Sequence, residues 1–437
     1  MSDPARERDT RWADWARAEE DPRAAAGKPE ALDGLLILDC ATGHYGGHVL
    51  GGFLGELGAE VVKLEPPGGD PARDWGPVDV RIRGEGLGYL AEGRNRYYAT
   101  LDLASAEGQA IFRQLATRAD VVIEGFPPGQ MDAWGIGYRQ LGPLNPRLVY
   151  VALSTHGQFG PRAEGSGPEY DLIDQALSGL AYITGHPGEG VGETGPTRVG
   201  SWISAYAQAA WGGVATLAAL HWRETSGRGQ MIDISGTEAL MRYLEYTLLL
   251  YHGSREIRER LGGLDIAVSV YTFVPVKDGW AFIAGYTDAN FGAICRIMGR
   301  PELARDPRFR TLDRTQPRAR VELVEEISAW SVHYTASEIL AKVLADPGPG
   351  TIVFGPVNRP TQTLAEDHWW ERGCFARLDD PVYGPLTLAA PAWRMTRTPP
   401  RLKIPGRPAG FHTAHVYGRH LGLGPSRLAE LRARGII

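Results

Sequence analysis

LLILDC at 35–40, followed by a helix-length interval at 48–57 and then EVVKLE at 60–65, is the stretch that decides the fold. Both runs are short, apolar and bounded by turn residues, so together they predict a strand, a helix and a second strand. The pattern recurs downstream. DVVI (120–123) and LVYVAL (148–153) predict two more strands, with helical stretches at 105–117 and 130–141. Strands alternating with helices imply an α/β fold whose parallel or mixed sheet is covered on both faces.

Beyond this core, residues 201–224 form a long stretch rich in Ala and Trp. The turn signal SGRGQ (226–230), a strand MIDIS (231–235) and a helix over 237–251 follow. The texture changes over 265–365. There, strands at 270–276 and 280–284 flank the turn KDG (277–279), and helices are expected at 288–298 and 318–344. The expected organisation is an N-terminal extension (1–30), a large domain (31–225 plus 366–437), a linker strand and helix (226–264) and a smaller α+β domain (265–365). A last helix falls at 426–434.

Composition narrows the function classes. With 46 Lys and Arg against 52 Asp and Glu, the net charge of −6 gives no general attraction to nucleic acid or anionic membrane. Gly and Pro make up 87 of 437 residues, about a fifth against a usual share of about 12%. With hydrophobics at 43%, this composition describes a loop-rich globular protein, not a disordered one. Cys40, Cys295 and Cys374 have no paired short spacing, which argues against a disulfide framework and a four-ligand zinc site. The first thirty residues lack the apolar stretch of a signal peptide, so a cytoplasmic location is expected. Trp12 and Trp15 in that arm either pack on a neighbour or belong to a frayed tail.

No dinucleotide fingerprint, phosphate-binding P-loop or HExxH zinc motif is present. Gly46-Gly47 and Gly51-Gly52 follow the first strand, where backbone N–H groups face an anion or where glycine permits tight packing. His44 and His48 are four apart, a pair better explained by capping or packing than by a metal. In PEYDLIDQALSGL, Asp171 and Asp174 are candidate carboxylates, Asp171 being equally an N-cap. Arg96 in GRNRYY is either a phosphate-holding fork or an ordinary surface cation. Trp202, Trp211 and Trp222 either line an aromatic acceptor pocket or pack in the core.

Taken in order, FLGELGAEVVKLEPPGGDPAR (53–73), RNRYYATLDL (94–103), ADVVIEGFPPGQMDAWGIGY (119–138), YDLIDQALSGLAYITG (170–185), LAALHWRETSGRGQMIDIS (217–235) and GPVNRPTQTLAEDHWWERGCF (355–375) resemble the family III CoA-transferases. That family includes formyl-CoA transferase, carnitine CoA-transferase and the 2-methylacyl-CoA racemases. The resemblance implies a Rossmann-like large domain built from both chain ends, a smaller domain from the middle, and two chains interlocked as a dimer. It implies CoA and acyl-CoA as substrates, without a metal, bound near Tyr45, Gly46, Arg96, Gly125 and Phe126. It also implies a nucleophilic aspartate that passes through anhydride and thioester intermediates. That aspartate's position is Ala205 in RVGSWISAYAQAAWGG, and a methyl group cannot attack a thioester.

Other departures run the same way. The first loop reads Tyr45-Gly46-Gly47-His48, Gly125 replaces a usual asparagine, and Pro66 and Ala133 replace common basic residues. Tyr170 stands where the racemases carry a base. The resemblance therefore implies a non-nucleophilic subunit partnered by a homologous chain that carries the aspartate. Succinyl-CoA is the expected donor and an aromatic succinate the expected acceptor. A self-sufficient enzyme using Asp171, Asp174 or Glu193, or a non-catalytic CoA-thioester-binding homologue, is the alternative.

Overall fold

The computed structural model describes residues 21, 23–77, 80–163, 170–188, 195–265, 267–310 and 317–437. Trp12, Trp15 and Glu193 lie outside them. The chain divides into two compact units, the first comprising 1–178, 200–243 and 367–437 and the second 179–199 and 244–366.

In the first unit, β1 (Leu36–Asp39), α1 (Tyr45–Glu56) and β2 (Glu60–Glu65) form the βαβ unit read from the opening stretch. They are followed by β3 (Arg96–Thr100), α2 (Ala106–Ala116), β4 (Val121–Glu124), α3 (Tyr138–Leu144) and β5 (Val149–Ser154). Next come α4 (Asp171–Ser178), the 24-residue α5 (Ile203–Ser226), β6 (Met231–Ser235) and α6 (Gly236–Met241). The six strands are all parallel, in the order β3-β2-β1-β4-β5-β6. That is the doubly wound arrangement, with its topological switch between β1 and β4.

Strand alternation explains the two cores. Ile37, Val61, Val121, Ile123, Val149 and Val151 face one side with Val49, Leu50 and Leu54 of α1 and Ala205 and Ala209 of α5. Leu38, Val62, Val122 and Tyr150 face the other with Phe112 and Leu115 of α2. A parallel sheet buried on both faces needs continuous apolar strands, and these supply them. The chain's C-terminus completes the second layer, with Val416 and Tyr417 of α7 (Thr413–Leu421) and Leu428 and Leu431 of α8 (Pro425–Ala433).

Three readings change. MIDIS, expected in a linker, is β6, the edge of the central sheet, because its backbone pairs with β5 from Tyr150 to Ser154. The helix expected over 130–141 is broken where Gly135 adopts φ 68°. The one expected over 237–251 ends at Met241, before a 3-10 turn and Glu245 at φ 53°.

The second unit carries an antiparallel three-stranded sheet in which Gly279–Ala284 lies between Tyr271–Val276 and Val353–Pro356. The helix expected over 318–344 is two, Pro317–Ser331 and Ala336–Ala345. Thr335 and Glu338 form a capping box that starts the second. Among the described residues, no helix is long and apolar enough to cross a membrane.

Candidate functional site

In a doubly wound sheet, ligands bind outside the carboxyl ends of the strands near the switch point. A cavity of about 320 Å³ lies there, lined by the loop after β1, by Thr155 after β5, by the start of α4 and by the N-terminus of α5.

The β1–α1 loop is fixed from below by buried charge. Asp70 accepts hydrogen bonds from the N–H groups of Gly43 and Ala72, each at 2.8 Å, and pairs with Lys63 at 3.0 Å. The Lys63 ammonium donates to the Ala41 carbonyl at 2.7 Å and lies 3.5 Å from Asp39. Burial alone would lower the pKa of Lys63, but Asp39, Asp70 and Glu65 outweigh it and raise it. Burial pushes Asp70 up, and Lys63 together with the two backbone N–H groups brings it below its ordinary value. The loop therefore delivers His44, Tyr45 and Gly46 to the cavity on a rigid base.

Glycine is used there for packing. A Cβ on Gly46 would stand 2.4 Å from Gln208 Oε1, and one on Gly47 2.3 Å from the Ala41 Cβ. His44 caps α1, its Nδ1 accepting the Gly47 N–H at 3.2 Å. His48 is buried and stacked on Tyr89. Burial, and next the Arg96 charge, hold its pKa well below the usual histidine range.

Arg96 corrects an expectation. It is neither a surface cation nor a cavity residue: its guanidinium is buried, pairs with Asp39 at 3.0 Å and donates to the carbonyls of His48 and Glu92. The fork is spent on tying β3 to α1 and β1. Gly125 and Phe126 do not line the cavity either. Phe126 packs edge-on against Trp134, and a Cβ on Gly125 would lie 2.6 Å from His44 Cβ and Cγ. The His44 ring thus occupies the room that an asparagine at 125 would need.

Tyr45 does line the cavity, its hydroxyl donating to the Gly88 carbonyl at 3.0 Å. Its ring meets Trp202 edge-on at 4.3 Å and Trp75 at 5.2 Å. Trp202 is half-buried at the cavity wall, whereas Trp211 and Trp222 are exposed, so the three Trp residues do not share one role.

The carboxylates divide. Asp171 begins α4, yet its side chain caps α5: Oδ1 accepts the N–H of Ser204 at 2.7 Å and of Ala205 at 3.3 Å, and Oδ2 accepts from Gln175 at 2.6 Å. Asp174 is buried, accepting from the hydroxyls of Ser204 and Thr237. Burial raises its pKa to about 6 against those hydroxyls and the nearby His44. Ala205, 7% exposed, lines the same cavity and also belongs to the apolar core beneath it.

Sequence reasoning missed Ser204, Gln208, Thr155, Thr237 and Trp75. Ser204 and Gln208 carried a signal, being polar side chains four apart at the start of an Ala-rich helix. Thr155 and Thr237 gave none, since only β5–β6 pairing brings them to Asp174. No cluster of metal-ligating residues occurs among the described residues.

The family profile of CoA-transferase family III matches residues 32–413. A succinyl-CoA–D-citramalate CoA-transferase of Chloroflexus aurantiacus is 33% identical over 94% of this chain and 98% of its own length. The alpha subunit of a succinyl-CoA–L-malate CoA-transferase of Chloroflexus aurantiacus is 34% identical over 93% of this chain and 92% of its own. The beta subunit from that organism is 32% identical over 93% and 98%. A CAIB/BAIF family protein from Brucella suis superimposes with a TM-score of 0.78 at 27% identity, covering 90% of this chain and all of the other.

Proposed function

The chain belongs to CoA-transferase family III, and from that premise we propose that it is the non-nucleophilic subunit of a heteromeric CoA-transferase. In this reading the reactive carboxylate comes from a homologous partner. CoA moves from an acyl-CoA donor, succinyl-CoA, to a carboxylic acid, an aromatic succinate, in the cytoplasm. The observation that carries the proposal is Ala205: this alanine lines the cavity together with Asp171 and Asp174 and has only a methyl group to offer. Asp171 is a poor substitute, because both its oxygens are engaged in holding the start of α5 and in Gln175. Its role is therefore to position α5, and Tyr45 and Gly46 are the proposed CoA-proximal residues.

Two further observations support a partner chain. The alpha and the beta subunit of one heteromeric enzyme both resemble this chain along nearly its whole length. In addition, α5 carries an exposed apolar face of Trp211, Val214, Leu217 and Trp222, of the kind that a protein interface covers. An interlocked dimer of two such homologues is the proposed assembly.

Co-expression tests the reading. The purified chain alone is expected to transfer no CoA from succinyl-CoA, and a co-purifying family III chain with its aspartate is expected to restore transfer. Turnover by the isolated chain, or a hydroxylamine-sensitive acyl adduct on its own Asp174 or Asp171, would remove the proposal.

A further inference from the structure

Three aromatic side chains, two in the cavity wall and one next to Ala205, are registered on one short helix, Leu87–Glu92. The Tyr45 hydroxyl donates to its Gly88 carbonyl at 3.0 Å. The Trp202 ring lies on the same residue: a Cβ at Gly88 would stand 2.9 Å from Trp202 Cζ3, so glycine there lets the indole approach the backbone. One turn on, the Glu92 carboxylate accepts from the Tyr206 hydroxyl at 3.0 Å. Gly88 and Glu92 are four apart and therefore neighbours on one face of the helix.

Glu92 is itself held by buried cations. Arg94 Nη2 lies 3.7 Å from its Oε1 while Arg94 Nη1 pairs with Glu56 of α1 at 3.1 Å, and the Glu92 carbonyl accepts from Arg96 at 3.1 Å. Tyr206 follows Ala205 directly, and its ring meets Tyr45 edge-on at 6.2 Å. The first turn of α5 is therefore gripped twice. Asp171 takes the backbone N–H groups of Ser204 and Ala205, and Glu92 takes the Tyr206 side chain through a charge-assisted bond, the stronger kind. We infer that Glu92 is a positioning residue for this cavity: through the Tyr206 hydroxyl it sets the first turn of α5 and the Tyr45 and Trp202 rings that stand against CoA or its acyl group. The inference rests on the reading of Tyr45 and Gly46 as CoA-proximal.

Calorimetric titration of the full chain with CoA tests it. Glu92→Ala and Tyr206→Phe are each expected to weaken CoA binding by about tenfold. Glu92→Gln keeps an oxygen for the Tyr206 hydroxyl and should recover most of that loss. The double variant, Glu92→Ala with Tyr206→Phe, should bind no more weakly than either single variant, because both remove the same bond. Two unrelated structural losses would add instead. Tyr206→Phe deletes a single oxygen, so it decides the matter even where Glu92→Ala does not fold. Unchanged affinity in Tyr206→Phe, additive losses in the double variant, or no recovery by Glu92→Gln overturns the inference while CoA binding by the parent stands. A parent chain that binds no CoA overturns the reading of Tyr45 and Gly46, and the inference with it.

Discussion

The Asp171 carboxylate accepts the backbone N–H of Ser204 at 2.7 Å, thirty-three residues away, and so acts as the cap of a helix other than its own. Trp202, the residue at the N-cap position of α5, makes no side-chain cap bond there. A 24-residue helix thus depends on a carboxylate from α4 for its first-turn donors. Asp171→Ala is expected to destabilise the fold by about 1–3 kcal/mol, the range for losing a charge-assisted cap, and Asp171→Asn by clearly less. Urea denaturation compares them. Equal loss in both variants would show that the bonds to Ser204 and Ala205 carry little.

Asp174 makes a pH prediction. Its folded pKa is raised from 3.8 to about 6, so the folded protein binds more protons than the unfolded chain between those values. Stability therefore falls as pH rises from about 4 to about 6, by a contribution of about 3 kcal/mol for this group. Asp174→Asn cannot titrate. The difference in unfolding free energy between the variant and the parent should shift in the variant's favour across that interval. A pH-independent difference would contradict the burial of an ionising carboxyl at this place.

His44 and Gly125 should be coupled. Gly125→Asn alone drives a Cβ into the His44 ring, with an expected cost of about 1–3 kcal/mol for overpacking. The same change in a His44→Ala background should cost less, giving a coupling energy of about 0.5–3 kcal/mol in a double-mutant cycle. Additive effects would mean that the loop moves aside freely.

Lys63 is the centre of the buried charge beneath that loop. Lys63→Met leaves Asp70 without its ion-pair partner and Asp39 with Arg96 alone, with an expected loss of about 3–5 kcal/mol. Chemical denaturation at neutral pH measures it. A loss under about 1 kcal/mol would show that the pair is dispensable.

The sheet was legible because its signal is local. LLILDC, EVVKLE, DVVI, LVYVAL and MIDIS are short runs rich in Val, Ile and Leu, and each is a strand to within a residue or two at its ends, whereas the strand Arg96–Thr100 was not singled out. Breaks in helices were less legible: Gly135 and Glu245 interrupt apolar patterns by adopting positive φ, which periodicity does not register. The site divided in the same way. Asp171, Ala205, Tyr45 and Gly46, singled out in the sequence through the family resemblance, all line the one cavity. Arg96 was misplaced because a cation at a strand's start reads identically whether it faces solvent or the carboxylate of Asp39.

The alternation of strands and helices, the membership of a family of acyl-CoA enzymes and the methyl group at position 205 are all properties of residue identity in order, and were readable before any coordinates. Which partner each charge takes was set by the three-dimensional packing. Asp171 went to the backbone of α5, Arg96 to Asp39 and Asp174 to the hydroxyls of Ser204 and Thr237. Those pairings join segments 30 to 63 residues apart. The strength of a hydrogen bond or ion pair depends on distance and burial, which are set by packing and not by position along the chain.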